Sequence, residues 1–269
     1  MKALAIILVI PFATLFAFDN NGRGTKATSL ANAFVGLADN SWAISYNPAG
    51  LAQILSPEIS TFFVPQQFGI SELKTVSLSA ACRIGPGTIG ALAEQFGFDL
   101  YHTTDFALAY GYSIDSSFSV GAAVDVQRTS IDRYGASNTF LLDVGFLGKP
   151  ISNLSVGVCV KNLTATTIGV NHERLPQYFL LGVCYSPVKD FSLVSEVEKD
   201  PRFPLVLKAG VEQKFLDFLS LRCGIANNPD KFSAGVSIQF TTFEFGYAGY
   251  SHSELGWTHQ LEIKARWGM

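Results

Sequence analysis

The chain has 269 residues, of which 48% are hydrophobic and only 15% are charged, and its formal net charge is -3. Soluble domains usually carry about 25% charged residues, so this charge content is low for a protein surrounded by water. The high apolar fraction excludes a disordered chain. The excess of 22 acidic over 19 basic residues disfavours a nucleic-acid-binding protein. A bundle of membrane-spanning helices needs several apolar runs of about 18 residues, which the sequence lacks.

The longest apolar run is at the N-terminus, over residues 3–18. It follows Lys2, is interrupted by Pro11 and contains the small residue Ala17 near its end. This layout predicts a signal peptide over residues 1–17, with an N-terminal anchor helix as the alternative. We therefore expect an exported protein whose mature part has the size of one barrel.

Residues 18–56 show no alternation and predict a short helix followed by a turn. Apolar residues recur at helical spacing between Leu30 and Ala38, and Thr28 or Ser29 can serve as the N-cap. The segment ends with a turn motif formed by Asn47, Pro48, Ala49 and Gly50. The Asn side chain can bond to its own backbone two residues on, and the residue before a proline is extended.

From residue 57 onward, apolar and small or polar residues alternate in stretches of eight to twelve. A period of two requires a strand, because only there do successive side chains point to opposite faces. Fourteen strands are predicted, at 57–64, 73–83, 87–96, 103–113, 117–129, 138–148, 153–163, 177–186, 190–198, 203–215, 218–226, 231–240, 242–250 and 258–267. The longer connections, 164–176 and 251–257, are expected to be external loops.

Two architectures use such strands: a soluble sandwich and a transmembrane barrel. The opposite faces are rich in glycine and serine, and the strand number is even, which favours the barrel. The apolar faces also end in aromatic residues, as membrane interfaces require: Tyr110, Tyr112, Phe140, Phe146, Tyr185, Phe240 and Trp267. We therefore predict an all-β protein, a transmembrane antiparallel β-barrel of about 14 strands over residues 57–269, located in the outer membrane and in contact with its lipid. An arginine at Val236 is expected to disrupt it more than one at Ser237.

The barrel gives the N-terminal segment a place to lie. A barrel wider than eight strands needs a plug or leaves a channel, so residues 18–56 are expected to form a short helical hatch in the lumen. A cap helix outside the barrel is the alternative. Gly50 is expected where a Cβ would clash with the barrel wall.

Charged residues take the inward parity on several strands. The residues expected to form a lumen charge network are Asp125, Asp143, Lys208, Glu212, Arg222, Glu262, Lys264 and Arg266. Because unpaired charge in a narrow lumen is costly, opposite charges are expected to pair across neighbouring strands. A selectivity filter is the alternative.

Several motifs resemble one family of outer-membrane proteins. They are Gly22-Arg23-Gly24, the run Leu30-Ala31-Asn32-Ala33-Phe34-Val35-Gly36-Leu37-Ala38-Asp39, and Tyr46-Asn47-Pro48-Ala49-Gly50-Leu51. This N-terminal part resembles the PorV/PorQ family, relatives of the FadL-type fatty-acid transporters. The resemblance implies a fourteen-stranded barrel with a hatch, and a role in type IX-like secretion with secretion-system subunits or exported cargo as partners. The alternative that it implies is FadL-like passive transport of hydrophobic small molecules.

No motif indicates catalysis. The sequence has no nucleophile elbow, zincin motif or phosphate-binding loop, and its four histidines fall near predicted loops and strand ends. The four cysteines, Cys82, Cys159, Cys184 and Cys223, have no metal-ligand spacing, although one disulfide is possible. We therefore expect a non-enzymatic protein without a metal site or cofactor.

Overall fold

Fourteen of the sixteen strands close into one antiparallel barrel. A computed structural model describes residues 22–168 and 173–268, so the predicted signal peptide lies outside the described residues. The strands are β1 Glu58–Val64, β2 Lys74–Ile84, β3 Gly87–Phe98, β4 Tyr101–Ser113, β5 Phe118–Ile131, β6 Gly135–Ile151, β7 Leu154–Lys161, β8 Thr167–Ile168, β9 Glu173–Arg174, β10 Tyr178–Val188, β11 Phe191–Lys199, β12 Val206–Leu216, β13 Leu219–Ala226, β14 Lys231–Phe240, β15 Phe243–His252 and β16 Gly256–Arg266. The short β8 and β9 pair with each other outside the barrel.

The barrel closes because its first strand pairs with its last. β1 and β16 run antiparallel, with Glu58 opposite Arg266 and Phe63 opposite Leu261. Every other barrel strand pairs with its neighbours in chain order. A closed sheet has no free edge and satisfies its backbone groups internally, as a bilayer demands. The predicted barrel is confirmed, and each of the fourteen predicted strands overlaps one in the structure.

The two ends of the barrel differ in their connections. The end at which β1 begins and β16 ends has short turns, such as 85–86 and 189–190, whereas the opposite end has the longer loops. The predicted loop 164–176 is at this loop end and includes β8 and β9. The predicted loop 251–257 is too long, because β15 and β16 extend over its two ends and leave only residues 253–255 between them.

The outer surface of the barrel is apolar. The exposed side chains include Val76, Leu78, Leu108 and Leu207 on the strands, and all seven aromatic residues that the sequence placed at the strand ends. An apolar band flanked by aromatic residues is the surface that an outer-membrane barrel presents to lipid. None of the helices in the described part of the chain is long and apolar enough to cross a membrane.

Val236 and Ser237 test this division between outside and inside. Val236 lies at the middle of β14 on the outward parity, so Val236→Arg should weaken folding into bilayers by about 2–4 kcal/mol. The matched change Val188→Arg, at the end of β10, should cost about 0–1 kcal/mol because it lies near the interface. Urea titrations in liposomes measure both values, and equal costs would contradict the depth assignment.

That arginine is better tolerated at Ser237 than at Val236 stays a prediction, and the structure shows what an arginine at Ser237 would meet. Ser237 is buried, and its Oγ accepts a hydrogen bond of 3.1 Å from Nη1 of Arg222. An arginine at this position would face another guanidinium inside the barrel. An inward-facing position such as Ser237 therefore does not accept an arginine merely because it faces away from lipid.

The hatch inside the barrel contains three short helices. They are α1 Thr25–Ser29, α2 Ala43–Tyr46 and a 3₁₀ helix at Pro48–Gln53. The expected helix between Leu30 and Ala38 is wrong, since these residues form turns. Ala31 and Asn32 have positive φ angles of 53° and 64°, which a right-handed helix cannot contain. The apolar side chains of this region are still buried away from water, but the backbone that carries them forms a compact series of turns.

Candidate functional site

The Asn47 turn fixes the end of the hatch. Oδ1 of Asn47 accepts a hydrogen bond from the backbone N–H of Ala49 at 3.1 Å, as its sequence predicts. Nδ2 of Asn47 donates to the carbonyl oxygens of Val35 and Phe146, both at 3.0 Å. One side chain thus connects the turn to a second part of the hatch and to strand β6. Pro48 begins the 3₁₀ helix, where its missing N–H is not needed.

Gly50 is required by a contact within the hatch. A Cβ at this position would overlap Ala38, including its backbone oxygen. The sequence placed the clash at the barrel wall, and this is wrong because the hatch folds back on itself here. A larger residue at Gly50 would therefore separate two parts of the hatch.

Ten glycines line the wall around the hatch, and we call them the glycine girdle. Each faces inward from a different strand, and a Cβ on any of them would contact a hatch atom: Gly90, Gly111, Gly121, Gly145, Gly157, Gly182, Gly210, Gly224, Gly235 and Gly246. Glycine lets two backbones approach more closely than any other residue allows. The wall backbone therefore lies directly against hatch atoms, which are backbone atoms at some girdle positions and side-chain atoms at others. The sequence analysis missed this set, although its signal is one inward-facing glycine in each of ten strands.

Three wall carboxylates hold the hatch where glycine is absent. Glu262 of β16 accepts hydrogen bonds from the backbone N–H and the hydroxyl of Thr25 at 2.6 Å, and from Nε1 of Trp42 at 2.8 Å. Glu196 of β11 accepts from the N–H groups of Phe34 and Val35, both at 2.9 Å. Glu58 of β1 accepts from the Ser41 N–H in the same way. The sequence assigned Glu262 only to charge pairing.

Other charged residues form ion pairs between adjacent strands. Lys208 binds Glu196 at 2.8 Å and Glu198 at 2.6 Å, and the side chains of all three are nearly buried. The remaining pairs are Arg222–Glu212, Lys264–Glu244 and Arg266–Glu58. Each of these pairs joins residues that are directly opposite in the register. Glu58 and Glu244 are partners that the sequence analysis did not name.

The hatch adds one cation to this group. Lys26 binds Asp39 at 2.7 Å and Glu212 at 3.2 Å. Burial lowers the pKa of Lys26, but these two carboxylates more than offset this effect, so its pKa is raised and the ammonium remains charged. Lys26 therefore connects the hatch to the ion pairs of the wall through Glu212.

Asp125 and Asp143 are not part of these pairs, although the sequence grouped them with the others. They line a cavity of about 540 Å³ between the hatch and the loop end of the barrel. Arg23, Ile44 and Ser45 of the hatch form part of its lining, and Gln67, Asn162, Leu175 and Pro176 contribute from the loops. The volume lies in the range of small-molecule binding sites.

The cavity combines apolar walls with a cluster of acids. Its apolar lining includes Phe62, Val64, Phe96, Ala107, Ala123 and Leu141, and its charged lining consists of Arg23, Lys161, Glu94, Asp105, Asp125 and Asp143. Nη2 of Arg23 is 2.8 Å from both Glu94 Oε1 and Asp105 Oδ2. Asp143 accepts a hydrogen bond from the Asn162 N–H at 2.8 Å.

A second space of about 390 Å³ lies on the other side of the hatch. Lys26, Leu37 and Asp39 line it from the hatch, and the turns around Asn153 and Lys189 line it from the wall. The hatch therefore separates two spaces, one at each end of the barrel. A molecule that crosses the lumen must pass it.

The described residues hold no group of three or more His, Cys, Asp or Glu arranged to bind a metal ion. His102, His252 and His259 are absent from the cavity lining, and His172 lies outside the described residues. All four cysteines are free, with Cys159 and Cys184 buried and Cys223 exposed.

Solved structures with the same architecture come from outer-membrane channels. The toluene transporter TbuX of Ralstonia pickettii has a TM-score of 0.71 at 11% identity, covering 93% of this chain and 100% of that one. The CymD monoaromatic hydrocarbon channel has a TM-score of 0.69 at 12% identity, covering 94% and 100%. A FadL homologue of Pseudomonas aeruginosa has a TM-score of 0.62 at 13% identity, covering 91% and 98%. The fold is that of FadL-type outer-membrane transporters.

Other comparisons find no relative: no family model and no curated protein matches this sequence. None of the three structures named above is described as an enzyme. They support the FadL-type alternative and give no support to the PorV/PorQ resemblance or to a secretion role. Identities of this size establish the fold alone.

Proposed function

We propose that this protein is a passive outer-membrane channel for small hydrophobic molecules, with the cavity above the hatch as its binding site. The observation that supports this most strongly is the cavity itself, a space of ligand size with apolar and aromatic walls inside a FadL-type barrel. Two structural neighbours are described as a toluene transporter and a monoaromatic hydrocarbon channel. A molecule enters from the loop end, rests in the cavity and leaves past the hatch.

The lining supports passage rather than reaction. Aromatic and aliphatic side chains exclude water from an apolar solute, and burying apolar surface contributes about 25 cal/mol per Å². Such binding is favourable but has few directional contacts, which suits a site that must also release its occupant.

Filling the cavity should therefore block transport. Ala123 faces inward from β5 and lines the cavity, so Ala123→Phe should reduce toluene uptake to near the level of cells without the channel. Its neighbour Ala122 is exposed on the outside of the barrel, and Ala122→Phe should leave uptake unchanged. Accumulation of radiolabelled toluene in a Gram-negative host without its own FadL-type channel measures the effect.

A gel-mobility comparison of unboiled samples verifies that both variants form barrels. If the unaltered protein is folded in the outer membrane but does not raise uptake above that of cells lacking it, the proposed function is wrong. Equal uptake by the two variants would place the transport route outside this cavity.

A further inference from the structure

The lining of the cavity has more acidic than basic side chains. Among the described residues, four carboxylates and two cationic side chains line it. The hydrogen bonds of Arg23 go to Glu94, Asp105 and Ser45, and Lys161 lies over the ring of Tyr46 at 5.6 Å from its centroid. The wall at β5 and β6 therefore has an excess of negative charge where it lines the cavity. A concave site lined by one sign of charge attracts solutes of the opposite sign.

A second observation concerns β5. Gln127 is buried with 8% of its surface exposed, and its Oε1 has no hydrogen-bond partner among the described residues. Oδ1 of Asp125 is also buried without a partner there. Both side chains line the cavity. They lie two residues apart on one face of the strand, about 7 Å along it. Two buried acceptors without donors indicate a ligand that supplies hydrogen-bond donors.

The chemistry of these acceptors limits the ligand further. An ionised carboxylate only accepts hydrogen bonds, and an ammonium group offers three donors together with a positive charge. The apolar lining that includes Phe62, Phe96 and Leu141 accommodates a hydrocarbon or aromatic body beside that group. An anionic ligand, such as a carboxylate, would be repelled by the acids on β3 to β6.

We propose that the cavity selects amphipathic amines, molecules with an apolar or aromatic body and one ammonium group, with Asp125 as the counter-ion and Gln127 as a second acceptor. This inference rests on the proposed function, because it names the class of small molecule that the channel prefers. Asp125 and Gln127 are then specificity-determining residues, while the apolar lining gives affinity to any hydrophobic solute. Neutral hydrocarbons bind the same cavity less tightly.

Three probes of similar size and different charge test the selection. Phenethylamine, propylbenzene and 3-phenylpropionate are titrated calorimetrically at pH 7 into the purified full chain in detergent micelles, with empty micelles as the blank. Phenethylamine should bind most tightly and 3-phenylpropionate most weakly. Asp125→Asn should reduce phenethylamine affinity by about tenfold or more and leave propylbenzene affinity unchanged.

Two further variants separate this role from a general charge effect. Asp217→Asn removes an exposed carboxylate in a turn at the other end of the barrel, and it should change neither affinity. Gln127→Glu adds a carboxylate to the cavity and should strengthen phenethylamine binding.

The outcomes are distinguishable. If propylbenzene binds but phenethylamine binds no better, or if Asp125→Asn affects both ligands equally, the amine selection is wrong and the channel function stands. If none of the three probes binds the unaltered chain, both proposals are overturned.

Discussion

Deleting residues 22–51 should convert the barrel into an open pore. These residues contain most of the hatch, which packs against a girdle glycine on ten of the fourteen barrel strands. The strands bond to one another without hatch residues, so the barrel itself should still form. Water then fills the space and solvates the wall carboxylates. Planar-bilayer recordings should show large, stable conductance steps that the full chain lacks.

The control for this deletion is the unaltered chain, prepared and inserted in the same way. Both proteins should migrate anomalously when unboiled, and the deleted form should lose this behaviour at a lower temperature because Glu58, Glu196 and Glu262 no longer bind the hatch. If the deleted form has the conductance of the full chain, the hatch does not obstruct the lumen.

Gly121→Val should loosen the hatch without removing it. A Cβ on Gly121 would overlap the backbone at Pro48 and Ala49, and backbone atoms cannot move aside as a flexible side chain can. Valine itself suits a strand, so the barrel should accommodate it. We expect frequent channel openings in planar bilayers and faster proteolysis of the hatch.

The neighbouring change Ala122→Val is the matched control, since Ala122 lies on the same strand and faces outward. It should leave the hatch closed and resistant to protease. A closed hatch in both variants would mean that the glycine girdle tolerates side chains and that the close approach of wall and hatch is not essential.

The strands of the barrel can be predicted from the sequence because each carries its own alternation. The pattern in β12, where Leu207 is exposed and Lys208 is buried, follows from local residue types alone. Loop lengths are less certain, since His252 and Gly256 extend the last two strands through pairing that local sequence does not reveal. The hatch was the least predictable element. Its apolar residues do recur at helical spacing, but the region does not form a helix. The Phe34 N–H donates to Glu196 instead, and Ala31 and Asn32 adopt left-handed backbone angles.

The site was predictable in composition but not in arrangement. Inward parity identified both Asp125 and Glu262. In the structure Asp125 lines the cavity, whereas Glu262 accepts hydrogen bonds from three hatch donors. The alternation of a strand shows which face a side chain lies on. The hydrogen-bond partner of that side chain depends on which part of the hatch lies next to it inside the barrel. Arg23 could not be assigned for the same reason, because its partner Glu94 is 71 residues away in the sequence.

The hatch also has a consequence for how the cylinder closes. The first and last strands are joined by one lateral seam, and Arg266 binds Glu58 across it at 2.8 Å. Glu58 and Glu262, on the two sides of that seam, both accept hydrogen bonds from the hatch. Anything bound only to the closed form shifts the equilibrium towards closure. Because the segment inside the barrel binds both sides of the seam, we expect opening of the seam to cost more than the loss of strand pairing alone.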